Sequence, residues 1–324
     1  MKLFCFLIVL FFINLNLYSE KNCVYFDHLN RKITVKTLNQ IPTKFKKLAR
    51  CGVYKDQNNL NKPENISLSG HKRKASFVTD FGSVNLRWTA DQERYFPSKV
   101  KKSVLNSFKT FSKTIRNSEF YTVLKDQNLN WEIVFINDKI PLSQIPSHIL
   151  NGCHPGWMTP PANIYILTPK IAIGCNMNKK VDNTSTQKQF SAKALEKTLI
   201  HEFGHVVENA ISKNFNDRFR AEGFARWFET FASKNSPFLN KSSLINQNKK
   251  YAKYSYIEKP SNFSFKGSYT DYARAFMFFH VLEDLKGTHS ILDYYSNFSN
   301  QNFHSYLDKR YKIDDKYILN NYLK

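Results

Sequence analysis

The chain has 324 residues, 42% of them hydrophobic and 15% aromatic, enough apolar material for one sizeable domain with a smaller region beside it. That composition excludes an intrinsically disordered chain, and the absence of a fixed-period repeat or Gly/Ser-rich tract excludes solenoid and fibrous classes. The formal net charge of +22 draws the chain to anionic surfaces or polymers, but the lysines are scattered among asparagines, so charge alone assigns no specific nucleic-acid function.

At the N-terminus, Lys2 precedes an almost unbroken apolar run from Leu3 to Ile13, followed by Asn14, Asn16 and the small Ser19. This order predicts a secretory signal peptide over 1–19, a mature start near Glu20 and a secreted or periplasmic location. The alternative is an uncleaved anchor, although the run is short for a bilayer span, and no later segment reaches transmembrane length. Cys5 falls inside the signal and leaves Cys23, Cys51, Cys153 and Cys175. In an oxidising compartment these predict two disulfides. Of the three connectivities, Cys23 to Cys51 with Cys153 to Cys175 closes the shortest loops; buried free thiols are the alternative. Asn-x-Ser/Thr sequons occur at Asn65, Asn183, Asn240, Asn262 and Asn297 and matter only in a host that glycosylates.

From 20 to 94, short apolar runs (Val24-Tyr25-Phe26, Ile33-Thr34-Val35, Ser76-Phe77-Val78) alternate with polar turn-forming stretches, which predicts a small mixed or β-rich N-terminal region. A second domain is expected over 95–324. It opens with an amphipathic helix from Pro97 to Arg116, carrying Val100, Val104, Leu105, Phe108, Phe111 and Ile115 on one face. Trp131 to Ile136 reads as a strand. Asn163 to Leu167, bounded by Pro161 and Pro169, reads as an edge strand along which an extended peptide would pair. A long helix is expected from Ser191 to Ile211, with Leu195, Leu199, Phe203, Val206 and Ala210 facing the core. Further helices are expected over Ala221 to Ser233 and Tyr269 to Leu285, followed by a mostly helical tail from Ile291. A sheet followed by helices makes the fold class α+β.

The long helix carries His201-Glu202-Phe203-Gly204-His205. Histidines four apart on a helix project from one face and can hold one zinc ion. Glu202, turned by about 100° from His201, sits beside such a metal, where a general base must be to take a proton from zinc-bound water. Gly204, costly in the middle of a helix, implies that something packs closely against that turn. A catalytic zinc needs a third protein ligand, and Glu222, in Ala221-Glu222-Gly223-Phe224-Ala225, is the favoured candidate. Glu229, seven residues on and on the same face, could instead orient a ligand histidine, or be a solvated surface carboxylate.

His201-Glu202-x-x-His205 followed by Glu222-Gly223-Phe224-Ala225 resembles the gluzincin metallopeptidases, the thermolysin-like and aminopeptidase-like branch of the zincins. The resemblance implies a zincin-like catalytic domain over 95–324, with His201, His205 and Glu222 as zinc ligands and Glu202 as the catalytic base. Tyr272-Ala273-Arg274-Ala275-Phe276 resembles the helix whose tyrosine stabilises the oxyanion in the aminopeptidase branch, which implies that role for Tyr272, with Tyr269 as the fallback. Sixteen residues separate His205 from Glu222, slightly fewer than that branch usually shows. No Gly-x-Met-Glu-Asn motif precedes the zinc helix, so aminopeptidase specificity is unsupported; the lethal-factor-like branch also uses a His-Glu-Phe-Gly-His helix.

Other residues near the motif carry ordinary explanations. His154 and Trp157 either line the cleft or pack a loop, His280 suits a core or surface position, and Arg226 can pair with Glu222 or Glu229. The expected function is zinc-dependent hydrolysis of a peptide or protein substrate. The competing classes are a non-catalytic zincin-fold protein that holds an anionic polymer, and a zinc hydrolase acting on another bond.

Overall fold

This computed structural model describes residues 70–95, 100–136, 145–146, 149, 154–167, 192–212, 217–258, 265–299 and 301–323, with the backbone of three short strands before them. The expected signal peptide over 1–19, its cleavage point near Glu20 and both expected disulfides lie outside the described residues. Among the described residues, no helix is long and apolar enough to cross a membrane.

The chain divides into two compact units, Met1–Pro63 and Glu64–Lys324. The first contains β1 (Cys23–Phe26), β2 (Lys32–Ile33) and β3 (Gly52–Val53), paired antiparallel in the order β2-β1-β3.

The second unit is built on a five-stranded mixed sheet. Its strands are β4 (Arg73–Thr79), β5 (Gly82–Trp88), β6 (Trp131–Phe135), β7 (Gly156–Thr159) and β8 (Asn163–Ile166), in the order β4-β5-β6-β8-β7. The hairpins β4–β5 and β7–β8 are antiparallel, while β5–β6 and β6–β8 are parallel. In β5 the strict alternation Val84, Leu86, Trp88 faces the core and Asn85 faces solvent, the two-residue period of a half-buried strand. Thus the hairpin over 73–88, read from sequence as part of the N-terminal region, supplies two strands of the sheet that also contains β6. Strand β6 is covered on both sides: Ile133 and Phe135 join the main core, while Val134 and Ile136 join a smaller cluster with Ile145, Ile149, Trp157, Tyr165 and Leu167. Double burial of this kind is usual for a strand in parallel pairing.

One expectation is corrected here. Asn163–Ile166 is not an edge strand; it lies between β6 and β7, and the edge is Gly156–Thr159. Pro161 falls outside the paired residues and removes no donor from the ladder; the Pro160-Pro161 pair lies in the turn joining β7 to β8, and Pro169 lies outside the described residues.

Between β5 and β6 run α1 (Val100–Arg116) and the short α2 (Phe120–Leu124). The α1 face holding Val104, Phe108, Phe111 and Ile115 is buried, matching the predicted periodicity. After the sheet come α3 (Ala192–Ile211), α4 (Arg218–Ala232), α5 (Lys241–Glu258) and α6 (Tyr269–Lys286). Asp217 caps α4 by accepting from the Arg220 N–H, and Ser268 with Asp271 forms a capping box at the start of α6. The tail is helical, with α7 (His289–Asp293), a π turn over Tyr294–Phe298, α8 (Phe303–Tyr311) and α9 (Asp315–Tyr322). The unit is therefore α+β, a small mixed sheet with a helical second half.

An aromatic cluster anchors α3. Phe203, inside the His-Glu-Phe-Gly-His run, meets Phe108 at 4.6 Å, Phe111 at 5.2 Å and Trp131 at 5.4 Å between ring centroids. All four rings are buried, so α3 is held to α1 and β6 through the face opposite its histidines. Gly204 explains how α4 comes so close on another side. A Cβ there would lie 2.9 Å from Ala225 Cα and 3.1 Å from Phe228 Cβ, so the bare glycine lets the two helices touch. This is the close packing that a mid-helix glycine foretells.

Candidate metal centre

Helix α3 presents His201 and His205, and α4 presents Glu222 against them. Glu222 Oε2 lies 3.3 Å from His201 Nε2 and 3.4 Å from His205 Nε2. One ligand atom from each of the three residues falls within 4.8 Å of the others, a grouping that could hold a metal ion. The side chains keep 15%, 12% and 13% exposure respectively, so the group is recessed but open on one side. The sequence had singled out these three residues on two helices, and the packing at Gly204 and Gly223 brings the helices together. A Cβ on Gly223 would sit 2.8 Å from the Ala275 carbonyl oxygen, which fixes α4 against α6 just beside Glu222.

Glu229 is not a solvated surface carboxylate. It is 1% exposed, and its Oε1 stands 2.9 Å from His201 Nδ1. Lys197 Nζ lies 3.5 Å from Oε2, and Arg226 Nη1 lies 3.7 Å from Oε1. Burial alone would raise the Glu229 carboxyl, but Arg226, Lys197 and the His201 hydrogen bond outweigh it and hold the group down at about 2. Glu229 is thus a carboxylate at any ordinary pH and accepts from the Nδ1–H of His201. That orients the ring and turns Nε2 towards Glu222 and His205, where it can ligate a metal once its own proton has left.

Burial would lower the His201 pKa, yet the carboxylates of Glu222 and Glu229 reverse this and lift it to about 10. Glu222 shifts the opposite way. Burial is its largest influence, but the two histidines together hold its carboxyl well below the usual range. The two carboxylates thus favour a positive charge on the imidazole between them, as a cation-binding donor set would.

Glu202 is 3% exposed, and its Oε2 has no hydrogen-bond partner among the described residues. Burial pushes its carboxyl above the ordinary carboxylate range, against the pull of His201 and His205. A buried carboxylate oxygen left without a donor, next to two histidines, is the chemistry of a group waiting for a proton.

Tyr272, the candidate oxyanion donor on α6, is 3% exposed, and its hydroxyl lies 2.9 Å from His154 Nε2. Burial, followed by the negative charge of Glu222, raises the phenol well above its usual value, so it stays protonated. Tyr269 is 51% exposed and lies over Arg226 at 4.6 Å, which lowers its pKa. The fallback candidate therefore belongs to the Arg226 side of the site. Trp157 packs the sheet, stacked on Tyr165 at 4.9 Å. His280 stacks on Phe276 at 5.4 Å and is not in the ligand group. Arg226 is 6% exposed, so its pairing with Glu229 is a buried contact rather than a surface salt bridge.

Two neighbours, Lys197 and Arg218, were not anticipated from sequence, and neither was the contact of the loop histidine His154, already a cleft-lining candidate, with Tyr272. Lys197 is four residues before His201 and Arg218 four before Glu222, so helical spacing was the available signal for both. Nothing in the local sequence ties His154 to Tyr272, since the two are 118 positions apart. No family model, curated protein or solved structure matches the chain.

Proposed function

We propose that the chain is a secreted zinc-dependent metallopeptidase of the gluzincin type. The observation that carries this reading is the convergence of His201, His205 and Glu222 donor atoms within 4.8 Å, with the buried, unpartnered carboxylate oxygen of Glu202 alongside. Two imidazole nitrogens and one carboxylate oxygen suit zinc, and one open side is what a catalytic site keeps for water or substrate. The apolar run from Leu3 to Ile13 behind Lys2 supports export.

When zinc is bound, it supplies Lewis acidity, lowering the pKa of a coordinated water and polarising a carbonyl. The chain's own residues then divide the work. Glu229 keeps His201 in the Nδ1–H tautomer. Glu202 takes the proton from the attacking water and later delivers it to the departing amine. Tyr272 donates its phenolic hydrogen bond to the carbonyl oxygen as negative charge develops there. An extended peptide substrate would add to the sheet along β7, its edge strand among the described residues, pairing main chain to main chain.

Glu202 also favours this reading over a non-catalytic protein that uses its basic surface to hold an anionic polymer, because its buried, unpartnered oxygen lies beside both candidate ligand histidines, where a base would be used. The test is hydrolysis of a peptide library by the zinc-loaded protein and by Glu202→Gln. We expect a loss of about a thousandfold or more in the variant with zinc content unchanged. Equal hydrolysis by the two proteins would overturn the reading, and the cleavage products would separate endopeptidase from exopeptidase action.

A further inference from the structure

The contact between Tyr272 and His154 can run in either direction according to the histidine tautomer, and the reaction proposed above requires one of them. Tyr272 Oη and His154 Nε2 are 2.9 Å apart, and the two rings lie 5.2 Å apart at 36°. A phenol has one proton to give and lone pairs with which to accept, while each nitrogen of a neutral imidazole either carries a proton or accepts one. If Tyr272 donated to His154, its single proton would be unavailable to a substrate carbonyl. We infer that His154 carries its proton on Nε2 and donates it to the Tyr272 oxygen, leaving the phenolic proton on the Glu222 side, where it can be given to a substrate carbonyl in that reaction. His154 is thus a positioning residue for the reaction proposed above, and the inference rests on that reading.

The surroundings support this assignment. Phe265 stacks on the Tyr272 ring at 5.5 Å and 28°, so the phenol is held by more than its hydroxyl. On α4, Glu222 and Arg218 both interact with the Tyr272 phenol and Arg226 lies over its ring at 5.9 Å, placing Tyr272 beside the candidate metal ligand Glu222 rather than in remote core. His154 sits two residues before β7, the edge along which a peptide would lie, so the donor, the phenol and the substrate strand adjoin. A hydrogen bond received by the phenolic oxygen also strengthens the bond that the hydroxyl donates, because chained hydrogen bonds polarise one another.

His154→Phe keeps a ring against Tyr272 and removes the donor, whereas His154→Gln can restore an N–H at nearly the same place. We expect the Phe variant to lose about tenfold in kcat with KM little changed, and the Gln variant to recover most of it. Adding His154→Phe to Tyr272→Phe should cost nothing further, because the histidine acts through the phenol. Nitrogen-15 NMR of histidine-labelled protein should show His154 in the Nε2–H form, with its signal altered by Tyr272→Phe. An Nδ1–H tautomer, or an equal loss from His154→Phe with and without the Tyr272 hydroxyl, would overturn the inference. The NMR arm decides the matter even if the Phe variant misfolds. Full activity in Glu202→Gln would instead strike at the peptidase reading, which keeps the two failures apart.

Discussion

Glu222 and Glu229, two turns apart on one helix, address the two nitrogens of a single imidazole. Glu222 Oε2 lies 3.3 Å from His201 Nε2, and Glu229 Oε1 lies 2.9 Å from His201 Nδ1. A seven-residue spacing brings side chains back to nearly the same face, so one straight helix supplies both contacts without a break. The ring of His201 is thereby fixed in rotation before any ligand arrives.

Replacing Glu229 with Gln keeps an acceptor for Nδ1–H but removes the charge that pairs with Lys197 and Arg226. Replacing it with Ala removes both. Metal affinity should fall about tenfold in Glu229→Gln and by up to about a hundredfold in Glu229→Ala, the usual range for partners that orient a ligand histidine. Competition with a chromophoric zinc chelator measures both. Wild-type affinity in the Ala variant would mean that Glu229 does not orient the site.

Gly204→Ala separates propensity from packing. Helix propensity alone favours alanine by about 1 kcal/mol. The contact with Ala225 Cα at 2.9 Å and Phe228 Cβ at 3.1 Å opposes it, because the neighbour is helix backbone rather than a flexible side-chain tip. We expect net destabilisation of about 1–3 kcal/mol in denaturant unfolding, together with weaker metal binding as α3 and α4 are pushed apart. A more stable variant would show that the helices can part without strain.

The parts of the fold that were legible in sequence are those whose chemistry is local. The His201 to His205 spacing, the greasy face of α1 and the helical run carrying Tyr272 each announce themselves within a few turns. Helix α5 did not, because its buried stripe runs Leu244, Asn248, Ala252 and Tyr256. Asn248 satisfies its side chain on the Leu244 carbonyl one turn back, so a polar residue sits where an apolar one would have marked the face. Strand β7 was hidden for a related reason: Gly156-Trp157-Met158-Thr159 is short and carries no β-branched residue before Thr159. Strand β5 was readable in principle from Val84, Leu86 and Trp88, but its partnership with β6 is a long-range pairing that local pattern does not encode. The same holds for His154 and Tyr272, which meet only once the sheet and α6 are both in place.

Acid should destabilise the protein through histidines remote from the metal site. Burial, reinforced by Lys249, pushes His280 down to about 4 from its ordinary 6.5. His304, with ring centroids 4.4 Å from Phe219 and 4.2 Å from Phe278, is lowered by burial as well. Between these limits the unfolded chain binds more protons than the folded one, so the contribution is full above pH 6.5 and is lost as pH falls towards 4. For His280 the loss is at most about 3 kcal/mol, and less after allowing for its partial exposure. His280→Phe should flatten the fall in urea midpoint between about pH 7 and about pH 4.5, measured with chelator present so that metal release does not contribute. An unchanged slope would assign the acid sensitivity elsewhere.

A second buried ion pair ties the two ligand-bearing helices together away from the metal site. Arg220 on α4 is 1% exposed and donates from Nε to Glu208 Oε1 on α3 at 2.7 Å. It also donates to Ser212 Oγ at 2.9 Å and to the Ser299 carbonyl at 3.3 Å, while Tyr295 donates to Glu208 Oε1 at 3.0 Å. Glu208 follows His205 by three residues and Arg220 precedes Glu222 by two, so this cluster sets the separation of α3 and α4 near the ligands. Arg220→Met strands the Glu208 carboxylate in a site with no solvent access and should cost about 3–5 kcal/mol. Combining it with Glu208→Leu removes the stranded charge and should recover a large part of that loss, because a buried pair replaced on both sides by apolar groups is often nearly neutral. If the double variant is as stable as wild type yet binds zinc more weakly, the pair serves the geometry of the centre more than the stability of the fold. If stability and affinity fall together in the single variant and recover together in the double, packing of the two helices is what matters, whatever chemistry performs it.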